Sequence, residues 1–198
     1  MIWYNFKMHI EHEIKFSPIN IKEISNKIEN IGGVKVMDRF LYKRYICDIN
    51  DHAFIRLRTT PKGASITIKE CNDGNWQNHL LEQEMFINNF DEGKLFIEWF
   101  LKNKLISDPN LRYQENLRTM YKIDDIELCI DEWPLIEPFL EIEAPNQKSL
   151  EDIVKKLDLD FTKGLTGSVN NLAIKLYNID LASYNLLTFE KQEKFTNL

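Results

Sequence analysis

The sequence is poor in the residues that build several common functional sites. Its three cysteines, Cys47, Cys71 and Cys129, are widely spaced and include no CxxC pair. This spacing disfavours a disulfide framework or a zinc site and fits reduced thiols inside a cell. The seven glycines form neither a Walker loop nor a dinucleotide-binding loop. The four histidines show no HExxH or other metal spacing.

Long apolar runs and an excess of positive charge are missing as well. No stretch approaches the ~18 consecutive apolar residues that are needed to cross a bilayer. The apolar residues at the N-terminus are interrupted by Asn, Lys and His, unlike those of a signal peptide. The net charge of −6 disfavours a nucleic-acid-binding protein. We therefore expect a cytoplasmic protein that has neither a membrane nor a nucleic acid as a partner.

The 198 residues have the length of one domain, and 43% hydrophobic and 28% charged residues are typical of a globular protein. About eight strand-like segments follow one another, separated by turn residues such as Asn50-Asp51 and Pro61-Lys62-Gly63. Helical spacing predicts helices within 19–33, 91–105, 149–157 (with Ser149 as the N-cap) and 168–177. Such short connections favour an antiparallel barrel, closed or nearly closed, or a strongly curved sheet.

Charged residues occupy every second position of several predicted strands. In residues 8–16, MHIEHEIKF, the side chains of Glu11, Glu13 and Lys15 share one face, and Ile14 and Phe16 lie on the other. The pattern recurs along the chain and gives seven acids and five cations, which are Glu11, Glu13, Glu82, Glu84, Asp131, Glu141 and Glu143, and Lys15, Arg56, Arg58, Lys69 and Arg118. A wet face of a half-buried sheet is the simpler interpretation. The repeated Glu-x-Glu and Arg-x-Arg pairs favour a site instead.

A closed sheet would turn this face into a narrow lumen. Crowded carboxylates repel one another there unless cations or metal ions lie among them. A lumen with both charge signs suits a polyanion that is held by Arg and Lys and bridged by a divalent metal on the carboxylates.

Residues 11–15, Glu-His-Glu-Ile-Lys, resemble the ExExK signature of the CYTH domain, or triphosphate tunnel metalloenzymes. That family includes class IV adenylyl cyclases, thiamine triphosphatases and inorganic triphosphatases. The Arg-x-Arg strand, the strand lysine, the Glu-x-Glu strand, the arginine of YQENLR, the aspartate of IDEW and the closing EIE follow in family order. The resemblance runs from His9 to about Tyr177. It implies one tunnel domain over residues 1–180 and a C-terminal tail at 181–198. The fold it implies is α+β, an antiparallel closed β-barrel of about eight strands with helices packed outside.

The resemblance also assigns roles to the charged residues. The ligands of Mg²⁺ or Mn²⁺ would be Glu11, Glu13, Asp131, Glu141 and Glu143. The residues that bind the triphosphate would be Lys15, Arg56, Arg58, Lys69 and Arg118. Within these two sets, the catalytic residues would be Glu13, Lys15 and Arg58. Glu82 and Glu84 would either complete a second metal site or orient the arginines. In the family's chemistry, a metal-oriented water attacks a phosphoryl group in line.

We expect hydrolysis of a small triphosphate-bearing substrate, either inorganic triphosphate or a nucleoside or thiamine triphosphate. Two alternatives stay open: a class IV adenylyl cyclase that makes cyclic AMP and pyrophosphate from ATP, and a non-catalytic polyphosphate- or nucleotide-binding module. Two departures leave the substrate preference open. Asn116 stands where many members have a basic residue, and Val169 follows Ser168 where many have a Ser-Tyr pair. Homodimerisation is left open too.

Overall fold

The computed structural model of the chain describes residues 12–50, 52–71, 80–106 and 110–195, and at positions 71 and 80–82 it describes the backbone alone. The strands are β1 (His12–Phe16), β2 (Val34–Asn50), β3 (Ala53–Thr60), β4 (Gly63–Cys71), β5 (Leu80–Ile87), β6 (Leu111–Ile123), β7 (Ile126–Glu132), β8 (Phe139–Ala144), β9 (Tyr184–Leu187) and β10 (Gln192–Lys194). The helices are α1 (Ile21–Asn30), α2 (Phe90–Lys102), α3 (Gln147–Lys156) and α4 (Val169–Tyr177), with short 3₁₀ turns at Phe161–Lys163 and Leu181–Ser183. None of the described helices is long and apolar enough to cross a membrane.

Each α-helix begins at a side chain that accepts the backbone N–H three residues further on. The four caps are Asn20, Asn89, Asn146 and Ser168. Such caps satisfy one of the amides that a helix start leaves without a partner. The prediction of Ser149 as a cap is therefore wrong, because Ser149 donates its own N–H to Asn146.

One antiparallel sheet joins the eight main strands in the order β1-β8-β7-β6-β2-β3-β4-β5. In the described residues this sheet is open, because β1 and β5 end the order and do not pair with each other. At its second edge β1 instead exchanges two backbone hydrogen bonds between Lys15 and Leu165. The α+β class and the antiparallel sheet are confirmed, whereas the closed barrel is not seen.

The outer face of the sheet is covered by three helices. Ile14 of β1, Leu140 of β8 and Ile153 of α3 belong to one buried cluster, which also includes residues of α1. Leu57 of β3 and Ile97 of α2 belong to a second cluster. Alternation along the strands then places Lys15, Arg58, Arg118 and Glu141 on the opposite side of the sheet. We call that side the charged face.

The C-terminal part of the chain packs at one end of the charged face. Trp133 and Phe139, which are on that side by alternation, form a buried cluster with Leu172 of α4 and with Leu181 and Leu187. Strand β9 pairs in parallel with the first residues of β6, and β10 pairs with β9. Residues 181–195, predicted as part of a tail, thus fold onto the sheet. Helix α4 differs from the other three helices, since it packs on the side of the charged face.

Candidate functional site

The register of the sheet brings charged residues from successive strands onto one face. Residues that are directly opposite in an antiparallel pair project from the same side. In this way Lys15 lies opposite Glu141, Glu13 opposite Glu143, and Arg118 opposite Asp131. Further along the sheet, Arg44 lies opposite Arg58, Arg58 opposite Ser65, and Thr67 opposite Glu84. The alternation predicted from the sequence is thus present at every described position that was named.

Lys15 is held between two carboxylates. Its side chain is 3% exposed, and its ammonium nitrogen Nζ lies 2.9 Å from Glu13 Oε1 and 3.1 Å from Glu141 Oε2. Burial alone would lower the pKa of Lys15, but the charges of Glu141 and Glu13 raise it above its ordinary value. Lys15 therefore stays charged at neutral pH.

Arg118 lies beside this group and binds two acids with its guanidinium. Its Nε and Nη2 donate to the two oxygens of Asp131, at 2.8 and 2.5 Å, and Nη2 also donates to Glu141 Oε1 at 2.8 Å. The Asn116 amide donates to Asp131 Oδ1 at 2.8 Å. Burial would raise the pKa of Glu141, but Arg118 and Lys15 lower it below its ordinary range. Asp131 and Glu141 thus hold the two cations in place.

Three arginines, Arg44, Arg56 and Arg58, form the basic part of the charged face. Arg44 was not predicted. Its guanidinium lies 4.6 Å from the centre of the Trp133 ring, and its buried Nε makes no hydrogen bond within the described part of the chain. Burial and then the charges of Arg56, Arg118 and Arg58 lower its pKa well below the ordinary value. The neighbouring positive charges therefore repel Arg44.

Arg58 lies next to Arg44 and near one carboxylate. Its Nη2 is 3.6 Å from Glu84 Oε1, and its guanidinium is 5.1 Å from the centre of the Tyr42 ring. The buried Nε of Arg58 and the buried Oγ of Ser65 make no hydrogen bond among the described residues. Buried donors normally have an acceptor. An anion with several oxygens would supply acceptors to both.

Glu84 lies against this arginine group. Thr67 links it to Arg56, since the Arg56 Nη2 donates to Thr67 Oγ1 at 3.5 Å and Thr67 Oγ1 donates to Glu84 Oε1 at 3.4 Å. These contacts favour the arginine-orienting alternative for Glu84. Lys69 lies on the same face, one alternation past Thr67 on β4. The side chain of Glu82 and all of Glu11 lie outside the described residues.

The predicted metal ligands are all carboxylates, whose oxygens are the hard donors that Mg²⁺ and Mn²⁺ prefer. Glu13 and Glu143 oppose each other across β1 and β8. However, Glu141 and Asp131 are turned toward cations, and no three His, Cys, Asp or Glu of the described residues form a group that could hold a metal ion. The donor chemistry fits the metal, and its binding geometry stays a prediction.

Arg44 was not predicted from the sequence because it does not belong to a repeated pair of like charges. On its strand the neighbours on the same face are Tyr42 and Ile46, so it lacks an Arg-x-Arg partner. The one signal that could have identified it was the alternation of side chains along β2, which places Arg44 on the charged face.

Comparison with known proteins gives relatives in structure alone. No family model and no curated protein matches the chain. Among solved structures, the PH1012 protein from Pyrococcus horikoshii OT3 is 22% identical with a TM-score of 0.60, and the match covers 78% of this chain and 94% of that one. A conserved hypothetical protein from Pyrococcus furiosus is 18% identical with a TM-score of 0.63, and the match covers 80% and 97%.

A third similar structure carries a functional name. It is a "putative adenylate cyclase" from Vibrio parahaemolyticus, 12% identical with a TM-score of 0.64, and the match covers 84% of this chain and 98% of that one. At these identities the likeness concerns the fold alone. This chain therefore shares its fold with these three proteins.

Proposed function

We propose that the chain is a divalent-metal-dependent hydrolase of a small triphosphate-bearing substrate, which binds in a tunnel bounded by the charged face. One observation carries this proposal. Arg44 and Arg58 lie side by side with buried Nε groups that make no hydrogen bond in the described chain, on the same face as Lys15 and Arg118. A ligand with several negative charges would relieve the repulsion among these cations and accept their hydrogen bonds.

The extent of the cation group favours a chain of phosphates over a single one. Arg118, Arg44 and Arg58 come from three adjacent strands, β6, β2 and β3. Arg44 lies opposite Arg58, but Arg118 lies opposite Phe40, four residues along β2 from Arg44. With strands about 4.8 Å apart and a rise of about 3.3 Å per residue, the three backbone positions span roughly 15 Å. One phosphate group could not contact cations that are spread this widely, whereas a linear triphosphate carries charge on three phosphate groups to match them.

Each charge group has its own part in the proposed reaction. Lys15, Arg58 and Arg118 would bind phosphate oxygens and stabilise the negative charge that develops during transfer. Asp131 and Glu141 would orient Arg118, and Glu84 would orient Arg58. Glu13 and Glu143 would hold Mg²⁺ or Mn²⁺, and the resemblance adds Glu11, Asp131 and Glu141 to these ligands. When bound, that metal would spread phosphoryl charge and activate water. A cytoplasmic location stays a prediction.

A class IV adenylyl cyclase is the second candidate. The likeness to the "putative adenylate cyclase" of Vibrio parahaemolyticus favours it. The same phosphate-binding residues would serve either reaction, because a ribose hydroxyl replaces water as the nucleophile in the cyclase. A binding module that lacks catalysis is the third candidate, and the ion pairs of Glu141 with Lys15 and Arg118 favour it.

The deciding experiment is a turnover assay of the purified protein with tripolyphosphate, ATP and thiamine triphosphate, with Mg²⁺ or Mn²⁺ present. We expect release of phosphate or pyrophosphate, abolished by a chelator. Arg58→Ala should lower kcat/KM by roughly 30- to 1,000-fold, because a charge-assisted contact to the transferring group is lost. Lys43→Ala is the matched control, since Lys43 is an exposed cation on the outer face of neighbouring strand β2.

The products distinguish the candidates. ADP and phosphate from ATP indicate a hydrolase, whereas cyclic AMP and pyrophosphate indicate a cyclase. Tight tripolyphosphate binding without turnover of any substrate would leave the binding module. If tripolyphosphate neither bound nor reacted, the assignment of the charged face as the site would be wrong.

A further inference from the structure

Helix α2 exposes large apolar side chains on the side that faces away from the sheet. Leu95, Phe96 and Trp99 are 66%, 52% and 55% exposed. The ring of Phe100 touches both aromatic neighbours edge-on, with centroids 4.9 Å from Phe96 and 5.4 Å from Trp99. The opposite side of α2 packs on the sheet through Gly93 and Ile97. A surface helix normally has one apolar side, and α2 has two.

Charges flank this exposed patch in a symmetric way. The first turn of α2 carries the exposed acids Asp91 and Glu92, and the exposed bases Lys102 and Lys104 lie at its end. The acids lie four and five residues before Phe96 and the bases six and eight residues after it, so the charges are centred at about residue 97, within the apolar patch. An antiparallel second copy of the helix would therefore bring bases opposite acids at both ends. A parallel copy would bring like charges together.

We propose that two copies of this chain associate through α2, with the two helices antiparallel across a twofold axis near Phe96. A twofold interface uses the same patch on both copies, so the patch must complement itself. The acidic start and basic end of α2 meet this condition, and antiparallel helix dipoles add to it.

The area of the patch fits the centre of such an interface. Side chains of this size bury roughly 150–250 Å² when fully covered, so three half-exposed ones offer about 300 Å² per copy. A stable dimer buries about 800 Å² per partner. The apolar patch would thus be the core, and the flanking charges would form part of the rim.

The interface would leave the charged face accessible, because α2 packs against the outer face of the sheet. Each copy would keep its own site. A variant that separates the copies should consequently change the oligomeric state and leave turnover or tripolyphosphate binding per chain unchanged.

The first test is sedimentation velocity of the full chain over a range of concentrations. We expect a dimer for the wild type and a dissociation constant raised about 30-fold or more in Trp99→Glu, since a central tryptophan is a typical hot spot. Ile174→Glu, at an exposed apolar position of α4, is the matched control and should stay dimeric. Far-UV circular dichroism verifies that both variants fold. A monomeric wild type, or a Trp99→Glu variant that dimerises as well as the wild type, would overturn the proposal.

A second test uses the flanking charges. Lys102→Glu/Lys104→Glu places acids at both ends of α2, and Asp91→Lys/Glu92→Lys places bases at both ends. Each double variant alone should dissociate, and an equimolar mixture should form a heterodimer. Lys155→Glu/Lys156→Glu in the exposed last turn of α3 is the control and should dimerise like the wild type. A mixture that stays monomeric, or double variants that dimerise alone, would overturn the antiparallel arrangement.

Discussion

Glu141 connects two cations of the charged face, Lys15 and Arg118. These cations hold the pKa of the Glu141 carboxyl below its ordinary value, against the effect of burial. A carboxyl whose pKa is lower in the folded than in the unfolded chain adds stability above its unfolded pKa, about 4.3. That contribution is lost as the pH falls through the folded pKa.

Glu141→Gln should therefore change both the size and the pH dependence of stability. At pH 7 we expect the free energy of unfolding to fall by about 2–4 kcal/mol, because the two buried cations lose an anion. Between pH 5 and about pH 3 the variant should lose less stability than the wild type. Urea unfolding at several pH values measures both effects, with Glu190→Gln at an exposed position as the control. Equal pH slopes for Glu141→Gln and the wild type would contradict the role assigned to Glu141.

Arg44 should strengthen tripolyphosphate binding and lower the stability of the protein without a bound anion. Arg44→Met removes a repelled charge and keeps much of the contact with Trp133, so the free energy of unfolding should rise by about 1 kcal/mol. Tripolyphosphate binding should weaken about 10- to 100-fold, because a charge-assisted contact is lost. Denaturant unfolding and calorimetric titration measure the two effects. Lys43→Met, on the outer face, should change neither by much, and a destabilised Arg44→Met would show that Arg44 is structural.

At the scale of elements, the β3–β4 hairpin sets the register of the arginine group. Its turn places Arg58 opposite Ser65 and Arg56 opposite Thr67. Gly63 begins β4 with a φ of +147°, and a Cβ there would lie 2.6 Å from the Ile87 carbonyl oxygen and 2.7 Å from that of Asn88. Backbone atoms at the end of β5 and in the connection from β5 to α2 thus restrict this position to glycine.

Gly63→Ala should lower the free energy of unfolding by about 2–4 kcal/mol, through strain at positive φ and a clash with rigid backbone. Gly32→Ala is the matched control. Gly32 also has a positive φ, +94°, but nothing lies within 4 Å of its added Cβ, so about 1 kcal/mol is expected. Chemical denaturation of both variants separates the backbone term from the clash. Equal losses in the two variants would mean that the packing at Gly63 is unimportant.

The local sequence pattern was sufficient to predict most helices and strands, and the face of the sheet on which each strand residue lies. Alternation assigned Lys15 and Ile14 to opposite sides correctly, because a strand side chain has two directions to choose from. It could not find strands β9 and β10. Their few residues are stabilised by distant contacts, through Leu181, Leu187 and pairing with β6. The local sequence pattern could not show whether the sheet closes into a barrel either, because closure depends on which distant segment pairs with the second edge of β1.

At the scale of the whole molecule, the two sides of the sheet differ in what they could bind. The charged face carries charged residues along the whole sheet, from β1 at one edge to β5 at the other, and these residues could bind an anion. The outer face packs against α2, on which the proposed dimer depends. Separate sides allow the two properties to be tested independently. The Trp99→Glu variant tests the second without touching the first.

The pairing of β1 with β8 also governs when the site can form. Residues 12–16 find their partners at 140–144, more than 120 residues further along the chain. Contacts of such high sequence separation raise the contact order and slow folding. During synthesis, Lys15 emerges from the ribosome long before Glu141. Strand β1 of the nascent chain therefore lacks its partner strand until β8 has been made. The acidic part of the charged face is therefore among the last features to assemble.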